Sequence, residues 1–436
     1  MRNESNPRAA AFASLLSWEK NGRFANLEVN ASLQMSSLSD ADKGLYTALV
    51  YGVIERAITL DHIIGTLSSR PLAQIDRETR CALRLGLYQL TFMDRIPPHA
   101  AVSESVELAA PKSRGFVNAL LRTYLRGGCH YDLPQSDALT RMEIEFSAPR
   151  ELCAFFCERY GEDTAKALLS SANLSPSVTV RPNPLRSTAE EILARHAADG
   201  ARICALSPDM VEIDHAAGVA AGIAEGLYFV QDPASRLCVR ALDAQAGETV
   251  IDTCAAPGGK SISTALDMDN RGRLIAFDLH ENKLSLIRRT AQSLGITILE
   301  TAQRDARTPD PSLIGQADRV LCDAPCSGLG VIRKKPDIRY KSLDSVAALP
   351  AIQYDILCGA AQYVRPGGVL VYSTCTLNPD ENEHIVRRFL AENPVFSAAD
   401  FDLGPAGRSE DGMRTFFPHL DGCDGFFIAK MTRKAI

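Results

Sequence analysis

The chain has 436 residues, 46% of them hydrophobic and 23% charged, with a formal net charge of −6. That length carries two or three domains and cores large enough to do without disulfide or metal staples. The acidic total excludes bulk attraction to nucleic acid, so an RNA partner has to be met by local basic patches, and no apolar run approaches the roughly 18 residues of a membrane span.

The opening residues Met1 to Pro7 are polar, and the apolar stretch 9–16 is short and lacks a cleavage site, which argues against a signal peptide. Twelve cysteines in such a chain predict reduced thiols in a cytoplasmic protein. Cys153 and Cys157 have helical spacing, but no second Cys/His pair accompanies them, so no metal site is expected. A monomer is the default expectation.

Residues 1–130 predict an all-α bundle. Apolar positions recur at three and four around Leu45, Leu49 and Val53, again at Ile63, Ile64 and Leu67, and from Leu83 to Phe92, where Pro97 and Pro98 close the run. A further helix spans 116–125 and stops at Gly127 and Gly128. Residues 129–137 read as a linker. Residues 140–230 predict a small α+β domain: two helices, a strand at 177–180, a helix opened by a Ser187–Glu190 capping box, and short strands at 211–214 and 227–230. From 231 to 436 short apolar strands alternate with helices, at 249–252, 274–278, 296–300, 319–323 and 369–373, with a last strand at 425–430. This alternation predicts a parallel, doubly wound α/β sheet, whose ligands bind beyond the carboxyl ends of its strands.

Candidate residues therefore stand just after the strands. The first is followed by Cys254, Ala255, Ala256, Pro257, Gly258, Gly259 and Lys260. Two glycines in a strand-to-helix turn let the backbone approach a ligand, and the helix start favours negative charge. Asp278 ends the second strand about 20 residues on, the spacing at which a carboxylate meets ribose hydroxyls; a helix N-cap is the equal alternative. Asp305 follows the third strand, placed either to meet an adenine amino group or to sit in a solvated turn. Asp323 ends the fourth, followed by Pro325, Cys326, Ser327, Gly328 and Gly330. The fifth leads into Thr374, Cys375 and Thr376, then Asn378 and Pro379 as cap and first residue of a helix, with Asp380 and Glu381 in its first turn.

The segments 252–260, 323–330 and 372–382 together resemble the RNA cytosine-C5 methyltransferases, most closely the bacterial small-subunit ribosomal RNA branch called RsmB or Sun. Residues 331–339 and the ending Asp424, Gly425, Phe426 and Phe427 resemble the same family. In the amino-terminal part, 86–90, 96–101 and 116–122 are similar to NusB, a helical RNA-binding fold. The resemblance implies a NusB-like helical domain, a small α+β middle domain and a Rossmann-like class I methyltransferase domain that uses S-adenosylmethionine. It implies that residues 254–260 with Asp278, Asp305 and Asp323 hold the cofactor, that Cys375 is the nucleophile and that Cys326 assists product release. Transfer RNA as substrate, or a noncatalytic RNA-binding protein on a retained fold, are the alternatives. DNA cytosine methyltransferases use the Pro-Cys cysteine and lack the Thr-Cys motif. The basic stretch Arg333, Lys334, Lys335, Arg339 and Lys341, with Tyr340 inside it, is expected to grip phosphates and stack a base.

Overall fold

The structure of the protein is a computed structural model, and it describes residues 6–21, 29, 33, 38–215 and 218–435. The polar start thus lies largely outside the described residues. The chain forms two compact units, 1–174 with 332–343, and 175–331 with 344–436. No helix among the described residues is long and apolar enough to cross a membrane.

Among the described residues the first unit is helical, with no strand. Its central helix, Arg77–Phe92, opens where the Asp76 carboxylate accepts the Thr79 N–H at 3.0 Å. It is buried around most of its circumference, with Leu83, Leu85 and Leu87 all at 0% exposure. A helix apolar on several faces belongs inside a bundle, and Asp40–Glu55, Ala57–Leu67, Pro98–Leu108 and Arg114–Arg126 surround it. The one guanidinium on its buried face, Arg84, is matched by Asp61 at 2.6 Å and by Glu19.

The segment expected as a middle domain is shared between the units. The helices Ala138–Phe146, Arg150–Tyr160 and Glu162–Ser171 belong to the first, and the residues from 175 onward to the second. Cys153 is buried and Cys157 half-buried; all twelve cysteines are free thiols.

The basic stretch also belongs to the first unit, which corrects the expectation for two of its residues. Arg339 is 2% exposed. Its guanidinium donates to the carbonyls of Glu55 (2.9 Å), Phe146 (3.2 Å), Ser147 (3.0 Å) and Ala172 (3.4 Å). These carbonyls lie at the carboxyl ends of three helices, where backbone acceptors lack intrahelical donors and the helix dipole is negative. Tyr340 donates to the Ile54 carbonyl at 2.7 Å and sets its ring edge against Trp18. Neither side chain is placed to grip RNA.

The second unit opens with a four-stranded antiparallel sheet of β1 (Val178–Pro182), β2 (Arg202–Ile203), β3 (Val211–Ile213) and β4 (Tyr228–Val230), in the order β2-β3-β1-β4. The capping box falls one residue later than expected, on Thr188 and Glu191, because the Ser187 hydroxyl is engaged by the Leu227 carbonyl. Arg181 of β1 and Arg236 share the Asp267 carboxylate, and Arg181 also reaches the Ser263 carbonyl at 2.7 Å. These contacts pin the small sheet to the helix that follows β5 (Thr249–Asp252).

The larger sheet adds β6 (Arg273–Asp278), β7 (Leu299–Gln303), β8 (Ala317–Asp323), β9 (Val364–Thr374), β10 (Phe396–Ala398), β11 (Met413–Phe416) and β12 (Phe426–Arg433). Strands β7-β6-β5-β8-β9 are parallel, as expected. The last strand departs from that expectation: β12 runs antiparallel to β9, β10 and β11, so the sheet is mixed. Strand β7 begins three residues later than read, because Gly295 (φ +78°) ends the preceding helix and the Ile296 N–H folds back onto the Ala291 carbonyl at 2.9 Å. Strand order reverses between β5 and β8, which makes their carboxyl ends the crevice of the sheet.

Candidate active site

Strand β5 ends at Asp252, whose carboxylate accepts the Ser261 hydroxyl at 2.6 Å. Burial pushes this carboxyl up to about 7 despite that hydrogen bond. The chain then turns. The Ala255 N–H donates to the Phe277 carbonyl at 2.8 Å, the Ala256–Pro257 peptide is cis, and the helix Gly259–Asp267 begins. Gly258 has φ +106°, and a Cβ there would lie 2.9 Å from Ile287, so this turn requires glycine.

Beside the turn lies a cleft of about 380 Å³. Cys254, Ala256, Asp278, Asp305 and Asp323, all singled out in the sequence, line it. Asp278 accepts the Ala256 N–H at 3.2 Å and the His280 N–H at 2.9 Å, which ties the second strand end to the glycine turn. The helix Glu281–Leu294 has His280, not Asp278, at its cap position. Asp305 is held by Arg307 at 2.6 Å, and that hydrogen bond lowers its carboxyl below the usual range. Four other expected residues of the turn do not line the cleft: Ala255 and Gly258 are buried, Gly259 half-buried and Pro257 exposed.

Lys260 faces Asp323. Their ion pair measures 2.7 Å, and the other Asp323 oxygen accepts the Ser373 hydroxyl at 2.7 Å. Burial works to lower the ammonium, but the Asp323 carboxylate together with Cys238 and Cys375 raises it on balance. The Lys260 ammonium also lies 5.0 Å over the Phe426 ring.

The two cysteines meet because of register. Strands β8 and β9 are parallel neighbours with Asp323 opposite Ser373, so the loops leaving them emerge side by side. Cys326 and Cys375 are both half-buried, and their sulfurs are 3.3 Å apart. The hydrogen bond to Cys375, then burial, pushes the Cys326 thiol well up, and one of the two thiols donates to the other. The helix expected at Pro379 is first a 3-10 turn, Pro379–Glu381, and the α-helix starts at Glu383. Lys260 is a positive group in electrostatic reach of Cys375.

Residues 239–432 match the family described as 16S rRNA methyltransferase RsmB/F, and residues 5–126 match the NusB family. The chain is 37% identical to the probable ribosomal RNA small subunit methyltransferase B of Bacillus subtilis, over 98% of both chains. It is 33% identical to the ribosomal RNA small subunit methyltransferase B of Vibrio cholerae, again over 98% of both. The chain belongs to the ribosomal RNA small subunit methyltransferase B family. The crystal structure of PH0851 superposes with a TM-score of 0.79 at 25% identity, covering 98% of each chain. That of NSun6 from Pyrococcus horikoshii with SFG gives 0.58 at 22% identity, over 66% of this chain and 98% of the other, and shares the fold.

Part of the site goes unread in the sequence. Leu279, His280, Ile352 and Ile356 also line the cleft. Ile352 and Ile356 are one helical turn apart, yet their helix follows no strand whose end could mark it. Glu381, expected in the first turn of a helix, is fully buried beneath the two cysteine loops.

Proposed function

We propose that this chain methylates carbon 5 of a cytosine in small-subunit ribosomal RNA, through a covalent bond between Cys375 and carbon 6 of the base. The observation that carries this reading is the pair of sulfurs 3.3 Å apart, with the Lys260–Asp323 ion pair within reach. The cofactor is S-adenosylmethionine. Its nucleoside suits the cleft: carboxylates at Asp278 and Asp305 accept hydrogen bonds from hydroxyl or amino groups, and Leu279, Ile352 and Ile356 offer apolar walls. When bound it supplies an electrophilic methyl group.

Carbon 5 of cytosine is too weakly nucleophilic to accept that group unaided. The Cys375 thiolate adds to carbon 6 and turns the ring into an enamine, with electron density on carbon 5. The Lys260 ammonium favours the thiolate form. After transfer, the carbon 5 proton leaves to a base and its electron pair expels the Cys375 sulfur as thiolate. Cys326 stands beside that sulfur. From there it is placed to assist release.

RNA has to reach this site as an unstacked base, at a cost of a few kcal/mol. With Arg339 and Tyr340 engaged inside the helical unit, the phosphate grip falls to exposed cations. Lys112, Arg122 and Arg126 stand exposed in a segment, 111–131, that contains no Asp or Glu. We read residues 1–130 as the RNA-holding domain on this basis.

Tritiated methyl transfer to unmodified 16S ribosomal RNA tests the reading. Cys375→Ala is expected to abolish both incorporation and covalent RNA adduct, and Cys326→Ala to accumulate an RNA-linked species on a denaturing gel. The reverse pattern would exchange the two roles. Tight RNA binding without incorporation would leave a noncatalytic binding protein, and incorporation into transfer RNA alone would move the substrate.

A further inference from the structure

We propose that Glu381 is a positioning residue whose buried carboxylate ties the loop carrying Cys326 to the loop carrying Cys375. The proposal rests on those two cysteines being the working pair.

Glu381 is 0% exposed. One carboxylate oxygen accepts the Ser327 hydroxyl at 2.6 Å and the Asn378 side-chain amide at 3.0 Å. The other accepts the Ser327 N–H at 2.8 Å and the Gln353 side-chain amide at 2.9 Å. Ser327 directly follows Cys326, and Asn378 lies three residues after Cys375. The same Gln353 amide donates to the carbonyl of Pro325, which directly precedes Cys326, at 2.9 Å. The Ser327 and Thr376 hydroxyls meet at 2.6 Å, which brings in the residue after Cys375. The Glu381 carbonyl accepts the Tyr372 hydroxyl at 2.7 Å, fixing the turn to β9.

The chemistry of the site calls for a carboxylate. Four donors converge on two oxygens, and only an ionised carboxyl group accepts at both without donating. A buried carboxylate without hydrogen bonds would be prohibitively costly, whereas charge-assisted bonds from several neutral donors offset its desolvation. A glutamine here has a single acceptor oxygen, and its NH2 would face two donors. The sulfur separation depends on how far apart these two loops sit, so loosening the clamp acts on the cysteines; of the residues it holds, Pro325 alone lines the cofactor cleft.

The test compares Glu381→Gln and Gln353→Met with the unaltered full-length enzyme, using unmodified 16S ribosomal RNA. Three quantities are read: methylation rate at saturating cofactor and RNA, KM for S-adenosylmethionine, and the pH profile of Cys375 alkylation by iodoacetamide, located by peptide mass. Glu381→Gln is expected to slow the saturated rate by about tenfold or more, to leave KM for S-adenosylmethionine within about twofold, and to move the alkylation midpoint. Gln353→Met, which removes one donor and keeps the charge, is expected to act in the same direction by a smaller factor, and it carries the test if the first variant does not fold. An alkylation profile that stays in place in a folded variant overturns the proposal, as does a saturated rate within about twofold of the unaltered enzyme. Full activity in Cys375→Ala would instead overturn the reading of the cysteine pair. An inactive Cys375→Ala beside a fully active Glu381→Gln removes the clamp alone.

Discussion

Gly330 and Gly425 touch backbone to backbone: the Gly425 N–H donates to the Gly330 carbonyl at 2.8 Å, and a Cβ on Gly330 would lie 2.0 Å from the Gly425 carbonyl oxygen. The Gly330 N–H in turn donates to the Cys375 carbonyl at 3.0 Å. The contact therefore joins three segments that are remote in sequence: the end of the Cys326 loop, the Cys375 loop and the start of β12. Neither glycine has a positive φ, so close approach, not backbone conformation, excludes a side chain from both.

Gly330→Ala should consequently displace the Cys375 loop. Overpacking against backbone typically costs about 1–3 kcal/mol, and a shift of about 1 Å in a reacting group can cost about 10²-fold in rate. Gly425→Ala should be milder toward Leu377, whose side chain can turn, yet its Cβ still meets the Gly330 Cα at 2.7 Å. Gly65→Ala, in the helix Ala57–Leu67 with nothing within 4 Å, serves as the comparison and should leave the rate unchanged. Methylation by Gly330→Ala at the rate of the Gly65 variant would show that the contact does not set the loop.

Asp252 gives a pH prediction. Burial raises its carboxyl from 3.8 to about 7, so the folded chain binds this proton more tightly than the unfolded chain does. Stability then falls as pH rises: the contribution is fully present below about 4 and is lost as pH climbs through about 7, at up to roughly 1.4 kcal/mol per pH unit between them. Asp252→Asn carries no such proton. Melting temperatures measured from pH 5 to 8 should fall less steeply for the variant than for the unaltered protein, with the largest gain over it at pH 8. Parallel curves would mean that Asp252 is ionised in the folded state throughout.

Which residues could be read in advance follows from how local their signals are. Asp278, Asp323 and Cys375 each stand where an apolar strand stops, and a strand end is visible in a dozen residues of chain. Their convergence follows from parallel neighbours alone, because equivalent positions on adjacent strands share an edge. Glu381 and Gln353 carry no such signal: their partners come from 325–327, 353 and 376–381, and only the folded approach of those segments shows that a carboxylate is needed. Arg339 was open to misreading for the opposite reason. A run of cations looks solvated in sequence, but the unsatisfied carbonyls at Glu55, Phe146, Ser147 and Ala172 that claim this one are a property of three helix ends meeting. The antiparallel β12 was hidden in the same way, since strand direction is set by the path of the connection and not by the composition of the strand.

With Arg339 withdrawn from the RNA surface, the helix Arg114–Arg126 becomes the place to test phosphate contact. Gly115, Ala119, Arg122, Thr123 and Arg126 are its exposed positions, and 115, 119, 122 and 126, at spacings of four, three and four, lie along one face. Arg122 bonds the Asn118 side chain at 2.9 Å and Arg126 the Thr123 hydroxyl at 3.0 Å; both partners are neutral, so neither positive charge is cancelled by them. Replacing both arginines by glutamine should weaken RNA binding at low salt. If each meets one phosphate of a single strand, the slope of log affinity against log salt should become shallower by about 1.4 in total, at roughly 0.7 per contact. Binding of S-adenosylmethionine should not change, since the cofactor cleft is lined from the other unit. An unchanged salt slope would place the RNA on a different face of the helical unit, whereas a lost affinity with an unchanged slope would point to altered folding instead of phosphate contact.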